Sequence, residues 1–165
     1  MRIRFAVFAL FEYQNRFLMY KAIDSYSKIL YYRPIGGGVE FGEYSIDAIR
    51  RELSEEISAE IIVKKDFCFF ESVFHFENQT RHEIYKGYLA DFVNKEFYKK
   101  KSIRGIEPDG ERYEAEWIEL ADLLNANTNI YPNGLKDLLV ERYSNNNVYQ
   151  KQILKEEPAI NNKYT

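Results

Sequence analysis

The sequence predicts an α+β domain built on a mixed β-sheet. Three observations carry that prediction. Runs rich in β-branched and aromatic residues fill the first part of the chain, from Ile3 to Phe11, and its middle, from Phe67 to Asn94. One strongly periodic helical segment, Ile46 to Ile57, stands between them. Helical pattern returns only after Leu120. A chain of 165 residues holds one domain with a real core, which we place at residues 1–143, followed by a polar tail over 144–165.

Each element has a local reason. Ile3 to Phe11 is almost unbroken apolar sequence, suited to a strand buried on both faces. Tyr13 to Arg16 reads as a turn, and Phe17 to Ala22 as the returning strand of a hairpin. A short strand is expected around Tyr31 to Pro34, ahead of the glycines Gly36, Gly37 and Gly38, where the backbone can approach a ligand closely. The helix that follows has Ser45 as its expected N-cap and Asp47 in its first turn, where the dipole favours negative charge. Ile46, Ile49, Leu53 and Ile57 form its apolar stripe, and Glu52, Glu55 and Glu56 fall together on a neighbouring polar arc that Ala48 keeps open.

Phe67 to Glu77 and Glu83 to Asn94 read as a strand pair turned by Asn78-Gln79-Thr80. Lys95 to Arg104 reads as a basic solvated loop, with a phosphate-attracting patch as the alternative, and Glu107 to Glu111 carries turn chemistry. Ala115 to Leu120 is the last strand, with helices expected at Ala121 to Leu124 and Asn133 to Tyr143. In the tail, Val148, Ile153 and Leu154 are the residues able to dock.

Composition excludes several classes of function. A net charge of −3 gives no bulk attraction to nucleic acid or anionic membrane. No apolar run approaches the ~18 residues of a membrane span. The single cysteine, Cys68, allows no internal disulfide and fits a small buried apolar side chain in a reducing compartment. With no signal-peptide layout at Met1 to Arg4, a cytoplasmic protein is expected. His75 and His82 have no second His or Cys at metal-ligand spacing and read as edge residues.

Three carboxylates at i, i+3 and i+4 repel one another, so water must screen them or a cation must compensate them. Hard divalent cations take oxygen ligands in such clusters, in company with substrate phosphates. The flanking residues add to this. Gly37, five residues, Glu43, seven residues, then Arg51-Glu52-Leu53-Ser54-Glu55-Glu56-Ile57 resembles the Nudix box of the Nudix hydrolases. Ser58 replaces the pattern's final glycine, and Ala59 its closing aliphatic residue. A serine in that left-handed position costs about 1 kcal/mol and removes no ligand.

The resemblance implies the Nudix fold, a mixed sheet sandwiched between helices, over roughly residues 3–143. It also implies a Mg²⁺-dependent (or Mn²⁺-dependent) hydrolase of nucleoside diphosphate derivatives. The metal set would be Glu52, Glu55 and Glu56 with the backbone carbonyl of Gly36 or Gly37. Glu56 would be the strongest ligand, and Glu52 a ligand or the base near the attacking water. Arg51 and Glu43 would orient the cluster. A loop acid beyond the box is a further ligand or base in the family; Glu111 is the first choice here and Glu114 the second. Gly36, Gly38 and Arg33 are expected to touch the small-molecule nucleotide substrate, with Arg81 a further contact. Phe11, Tyr31, Tyr32, Phe74 and Tyr131 are candidate base-stacking rings, although in a chain this aromatic a place in the core accounts for such residues better. Related proteins often pair, so a homodimer is also expected. The same fold could instead bind nucleotide without turnover; such domains tend to lose box carboxylates, and this chain keeps all of them.

Overall fold

Residues 3–24, 26–76 and 79–144 are described by a computed structural model of the chain. The tail beyond 144, with its candidate docking residues, lies outside them, as does Asn78 of the expected turn.

Strand β1, Arg4–Leu10, shows why an unbroken apolar run was needed. Val7 and Ala9, with Phe11 just beyond the strand, enter one hydrophobic core, while Ala6, Phe8 and Leu10 enter another. Alternation along a strand sends successive side chains to opposite faces, so β1 is the wall between two cores. β3, Arg16–Ile23, repeats the device, with Leu18 and Tyr20 on one side and Phe17 and Met19 on the other.

The strands form two sheets. β1 lies parallel to β6 (Gln79–Phe92), which pairs with β5 (Ile61–Phe76). The second sheet runs β2 (Glu12–Tyr13), β3, β8 (Arg112–Glu119), β7 (Ser102–Ile106), with β4 (Leu30–Arg33) also on β3. The expected hairpin partner of β3 is therefore corrected. In the hairpin β3 meets the two residues of β2 and the Phe11 carbonyl, which accepts from Leu18 N–H, while β1 takes β6 as its neighbour. The β2–β3 turn is made by Gln14 and Asn15, both at positive φ.

Helix α1, Ser45–Ile57, covers the first core; α2 (Leu120–Leu124) and α3 (Leu135–Ser144) cover the second. The sandwich of helices about β-structure is thus present. Burial of Ile49, Leu53 and Ile57 contributes roughly 1.5–3 kcal/mol each before entropy.

Several local expectations change. The N-cap of α1 is Tyr44, and Ser45 is already helical; its hydroxyl lies 2.7 Å from that of Tyr88. Ile46 is exposed, whereas Ala48 is fully buried beside Ile49 and Leu53. The buried face is therefore wider than the predicted stripe and takes in part of the acidic arc. Lys95 to Arg104 is not a loop: Lys95–Lys99 is a 3-10 turn that buries Phe97 on Phe92, and β7 follows. Gln79 and Thr80 belong to β6 rather than to a turn. Ser58 holds φ 53, the left-handed conformation expected after the helix, with backbone N–H groups at the cap closing on Leu53 and Ser54 carbonyls.

Candidate active site

The glycine loop packs onto β1 by backbone hydrogen bonds. Val7 N–H donates to the Gly37 carbonyl at 2.8 Å and Ala9 N–H to that of Ile35 at 3.0 Å. This sets the loop against the middle of α1, at Arg51 and Glu52. A Cβ on Gly37 would stand 2.2–2.4 Å from the Glu52 carboxylate, and one on Gly36 would stand 2.1 Å from the Val7 carbonyl. Both glycines are therefore required by close approach.

Arg51 is the hub of the cluster. Its guanidinium donates from Nε and Nη2 to the two Glu43 oxygens at 2.9 and 3.0 Å, and from Nη2 to the Gly38 carbonyl at 2.9 Å. Nη1 lies 3.1 Å from both Glu52 and Glu55. The planar fork thus ties loop to helix, a task one ammonium could not perform. The Glu43 carboxyl is held below the usual carboxylate range by these hydrogen bonds.

The three box acids separate in environment. Glu55 is exposed and turned to Arg51, while Glu52 and Glu56 are 3% and 5% exposed. Glu52 Oε2 and Glu56 Oε1 are buried with no hydrogen-bond partner. Burial raises the Glu52 carboxyl against the opposing effect of Arg51. Burial pushes the Glu56 carboxyl up to about 8, with Glu107 and Glu52 adding to the rise and a hydrogen bond from Tyr113 opposing it.

Two tyrosines bring in residues that local sequence could not single out. Tyr113 donates to Glu56 Oε2 at 2.6 Å, and Tyr20 donates to Glu107 Oε1 at 2.5 Å. Their rings stack with centroids 4.1 Å apart, and burial holds both hydroxyls protonated. Glu107 is therefore the loop acid that bears on Glu56. Glu111, four residues later, is exposed; its backbone carbonyl accepts from Glu107 N–H at 2.8 Å, and its charge bears on Tyr31. Glu114 accepts a hydrogen bond from Ser102.

The NUDIX domain family model matches residues 1–138. The chain belongs to the Nudix family. It is accordingly a pyrophosphohydrolase of phosphorus-containing acid anhydrides. Among solved structures it is similar to the E. coli ORF135 protein, at 19% identity and TM-score 0.62, over 89% of this chain and 96% of that one. A MutT NUDIX hydrolase from Burkholderia pseudomallei is 22% identical with TM-score 0.58, over 87% and 99%. A UDP-X diphosphatase is 14% identical with TM-score 0.54, over 92% and 65%. At these identities the likeness is one of fold. No curated protein matches the sequence.

Beside the acids, the Nudix domain carries a cavity of about 160 Å³. Gly36, Gly37 and Arg33 line it near the box; Arg4, Tyr31, Phe74, Arg81, Glu83 and Tyr131 line the rest. Glu83 is buried, with both the Tyr85 and Tyr131 hydroxyls on Oε2 and Arg4 Nη1 3.4 Å from Oε1. Of the five candidate rings, Tyr31, Phe74 and Tyr131 line this cavity. Phe11 does not: it is fully buried and stacked on Phe92 at 3.9 Å. Tyr32 packs against the second core. Glu83 and Arg4 carried no local signal, because their pairing depends on the β1–β6 ladder, Arg4 opposite Glu83.

A divalent cation fits the buried pair. Two desolvated carboxylate oxygens lack any donor, so without a metal the Glu56 carboxyl holds its proton up to about 8, and a divalent ion would take that proton's place. Among the described residues no group of three His, Cys, Asp or Glu is already gathered for a metal, since Glu55 faces Arg51. The remaining oxygens must come from backbone carbonyl, water and substrate phosphate, as is usual for Mg²⁺.

Proposed function

We propose that this Nudix domain is a Mg²⁺-dependent enzyme that cleaves the pyrophosphate linkage of a nucleoside diphosphate derivative and releases a nucleoside monophosphate. The buried, unpartnered oxygens of Glu52 and Glu56 carry this reading, with Glu52 packed against Gly37, which itself lines the aromatic cavity. Mg²⁺ or Mn²⁺ would be held by Glu52 and Glu56, with Glu55 at the rim and the Gly37 carbonyl. Bound there, the ion would neutralise the anhydride's charge and acidify a water molecule.

The chain's own groups have separate tasks. Arg51 and Glu43 hold the acids and the loop in register. Gly36 and Gly38 keep the floor open to the phosphates, and Arg33, stacked 5.1 Å from the Tyr20 ring, meets their charge. Tyr31, Phe74 and Tyr131 take the base, with Glu83 as acceptor for its donor edge. Glu107 is our choice as the loop acid that takes a proton, ahead of Glu111, because it bears on Glu56. With every box carboxylate present, turnover is favoured over silent nucleotide binding.

A screen of nucleoside triphosphates, nucleotide sugars, dinucleotides and dinucleoside polyphosphates with Mg²⁺ or Mn²⁺ tests the proposal. Metal-dependent release of a nucleoside monophosphate, abolished in Glu56→Gln, is the expected result. Tight nucleotide binding with no product from any of them would overturn it.

A further inference from the structure

Arg4 opens β1 and shares a face of that strand with Ala6 and Phe8. Glu83 and Tyr85 lie on the same face of the neighbouring β6, and all five residues line the aromatic cavity. In the parallel ladder Arg4 stands opposite Glu83, with its Nη1 3.4 Å from Glu83 Oε1. The rest of the guanidinium reaches the other way. A Cβ built on Gly38 would stand 3.5 Å from Arg4 Nε and 3.6 Å from Nη2. Arg4 therefore spans the gap between the glycine loop, which Arg51 ties to the box acids, and the acceptor in the aromatic cavity. Its charge also bears on Glu52.

The pair with Glu83 is loosely made. Glu83 is 4% exposed, and its Oε2 already accepts from Tyr85. The Arg4 side chain is 45% exposed, and its hydrogen bond to Oε1 is a long one. A charge-assisted bond that fixes a buried acid is shorter, about 2.7–2.9 Å. Arg33, the other arginine near the box, is placed differently: its guanidinium lies over the Tyr20 ring at 5.1 Å and the Tyr131 ring at 5.8 Å. Two rings hold Arg33, whereas Arg4 swings on a long half-exposed stem. A phosphate offers the Arg4 fork two oxygens at once, which Glu83 Oε1 alone does not. A substrate with its nucleoside in the cavity and its scissile link at the acids has the phosphate it keeps between them, beside Arg4.

We propose that Arg4 is a phosphate-responsive latch on the base pocket. In the empty protein it closes on Glu83. When a nucleotide enters, Arg4 turns to the phosphate next to the nucleoside and leaves Glu83 Oε1 to accept from the base. The inference rests on the pyrophosphohydrolase reading above and deepens it, because the cavity then selects phosphorylated nucleosides over free ones. The base finds its acceptor only once the phosphate has drawn Arg4 away, so the two halves of the ligand bind cooperatively.

The test uses the full chain as wild type, Arg4→Gln and Arg4→Lys, in EDTA so that metal plays no part. Calorimetry measures the binding of AMP, CMP, GMP, UMP and the corresponding nucleosides, and the pair that wild type binds best is followed in the variants. In wild type the monophosphate should bind at least about 10-fold more tightly than its nucleoside. We expect Arg4→Gln to weaken the monophosphate by about 10-fold and to tighten the nucleoside by about 3-fold, since Glu83 is then unoccupied. Arg4→Lys keeps the charge and should stay within about 3-fold of wild type on the monophosphate. An Arg4–Glu83 pair that only holds the strands together would weaken both ligands when broken. Unchanged monophosphate affinity in Arg4→Gln, or a nucleoside affinity that does not rise, would overturn the latch. So would equal affinities of the two ligands in wild type, a result that needs no variant, or a wild type that binds none of them. If the two ligands respond in opposite directions while no nucleoside diphosphate derivative is turned over with Mg²⁺, the latch stands and the pyrophosphohydrolase reading falls. If turnover is found and both ligands weaken together, only the latch falls.

Discussion

Two adjacent turns of α1 carry chemically different glutamates, and burial decides the difference. Among the described residues Glu56 has no ion pair with a guanidinium, and its carboxylate accepts a hydrogen bond from Tyr113; Glu52 shares Arg51 with Glu43 and Glu55. Glu56→Gln and Glu52→Gln should each lower kcat by at least about 10²-fold, read in a steady-state assay on the best substrate of the screen. Glu107→Gln should cost about 10-fold or more in kcat, and Glu111→Gln less than about 3-fold; the reverse order would return the loop role to Glu111. The box acids were legible because they are close in sequence and sit at fixed spacing. Glu107, Tyr113, Arg4 and Glu83 were not. Tyr113 and Glu56 are 57 residues apart and meet only where α1 packs on the β7–β8 sheet, and Arg4 and Glu83 are 79 apart and meet only through the β1–β6 register.

At the scale of elements, the glycine loop and the end of α1 give contrasting mutations. A methyl group on Gly37 would enter the space of the Glu52 carboxylate, so Gly37→Ala should displace that acid. Activity should drop about 10-fold or more while the fold is retained, as followed by circular dichroism. Ser58 occupies φ 53 at the cap, a conformation glycine adopts freely. Ser58→Gly should leave activity unchanged and stabilise by up to about 1 kcal/mol, or about 2–4 °C in Tm. The element order was legible because β1, α1 and the β5–β6 pair each announce themselves by apolar period. Pairing was less so: β1 finds β6 in parallel across the chain, and a two-residue β2 is too short to leave a pattern. Lys95–Lys99 looked like a loop because its lysines dominate composition, while Phe97 does the packing.

For the molecule as a whole, the buried acids link stability to pH and to metal. In the metal-free protein, burial raises the Glu56 carboxyl from its ordinary 4.5 to about 8 and raises that of Glu52 as well. Below about pH 4.5 both folded and unfolded chains hold these protons, and the contribution to stability is fully present. Between about 4.5 and 8 the unfolded chain releases them while the folded chain keeps the Glu56 proton, so stability falls as pH rises. Glu43 works in the opposite sense: its lowered carboxyl stabilises above its ordinary range, and that gain is lost only as pH falls. Thermal unfolding in EDTA should therefore show Tm declining by roughly 7–14 °C between pH 5 and pH 8. Glu56→Gln, which carries no titrating group there, should flatten most of that decline. Saturating Mg²⁺ should reverse it in wild type, because the ion binds the ionised carboxylates of the folded state and gains affinity as pH rises. A Tm that rises with pH in EDTA, or a Mg²⁺ effect that survives in Glu56→Gln, would show that the ion is held elsewhere.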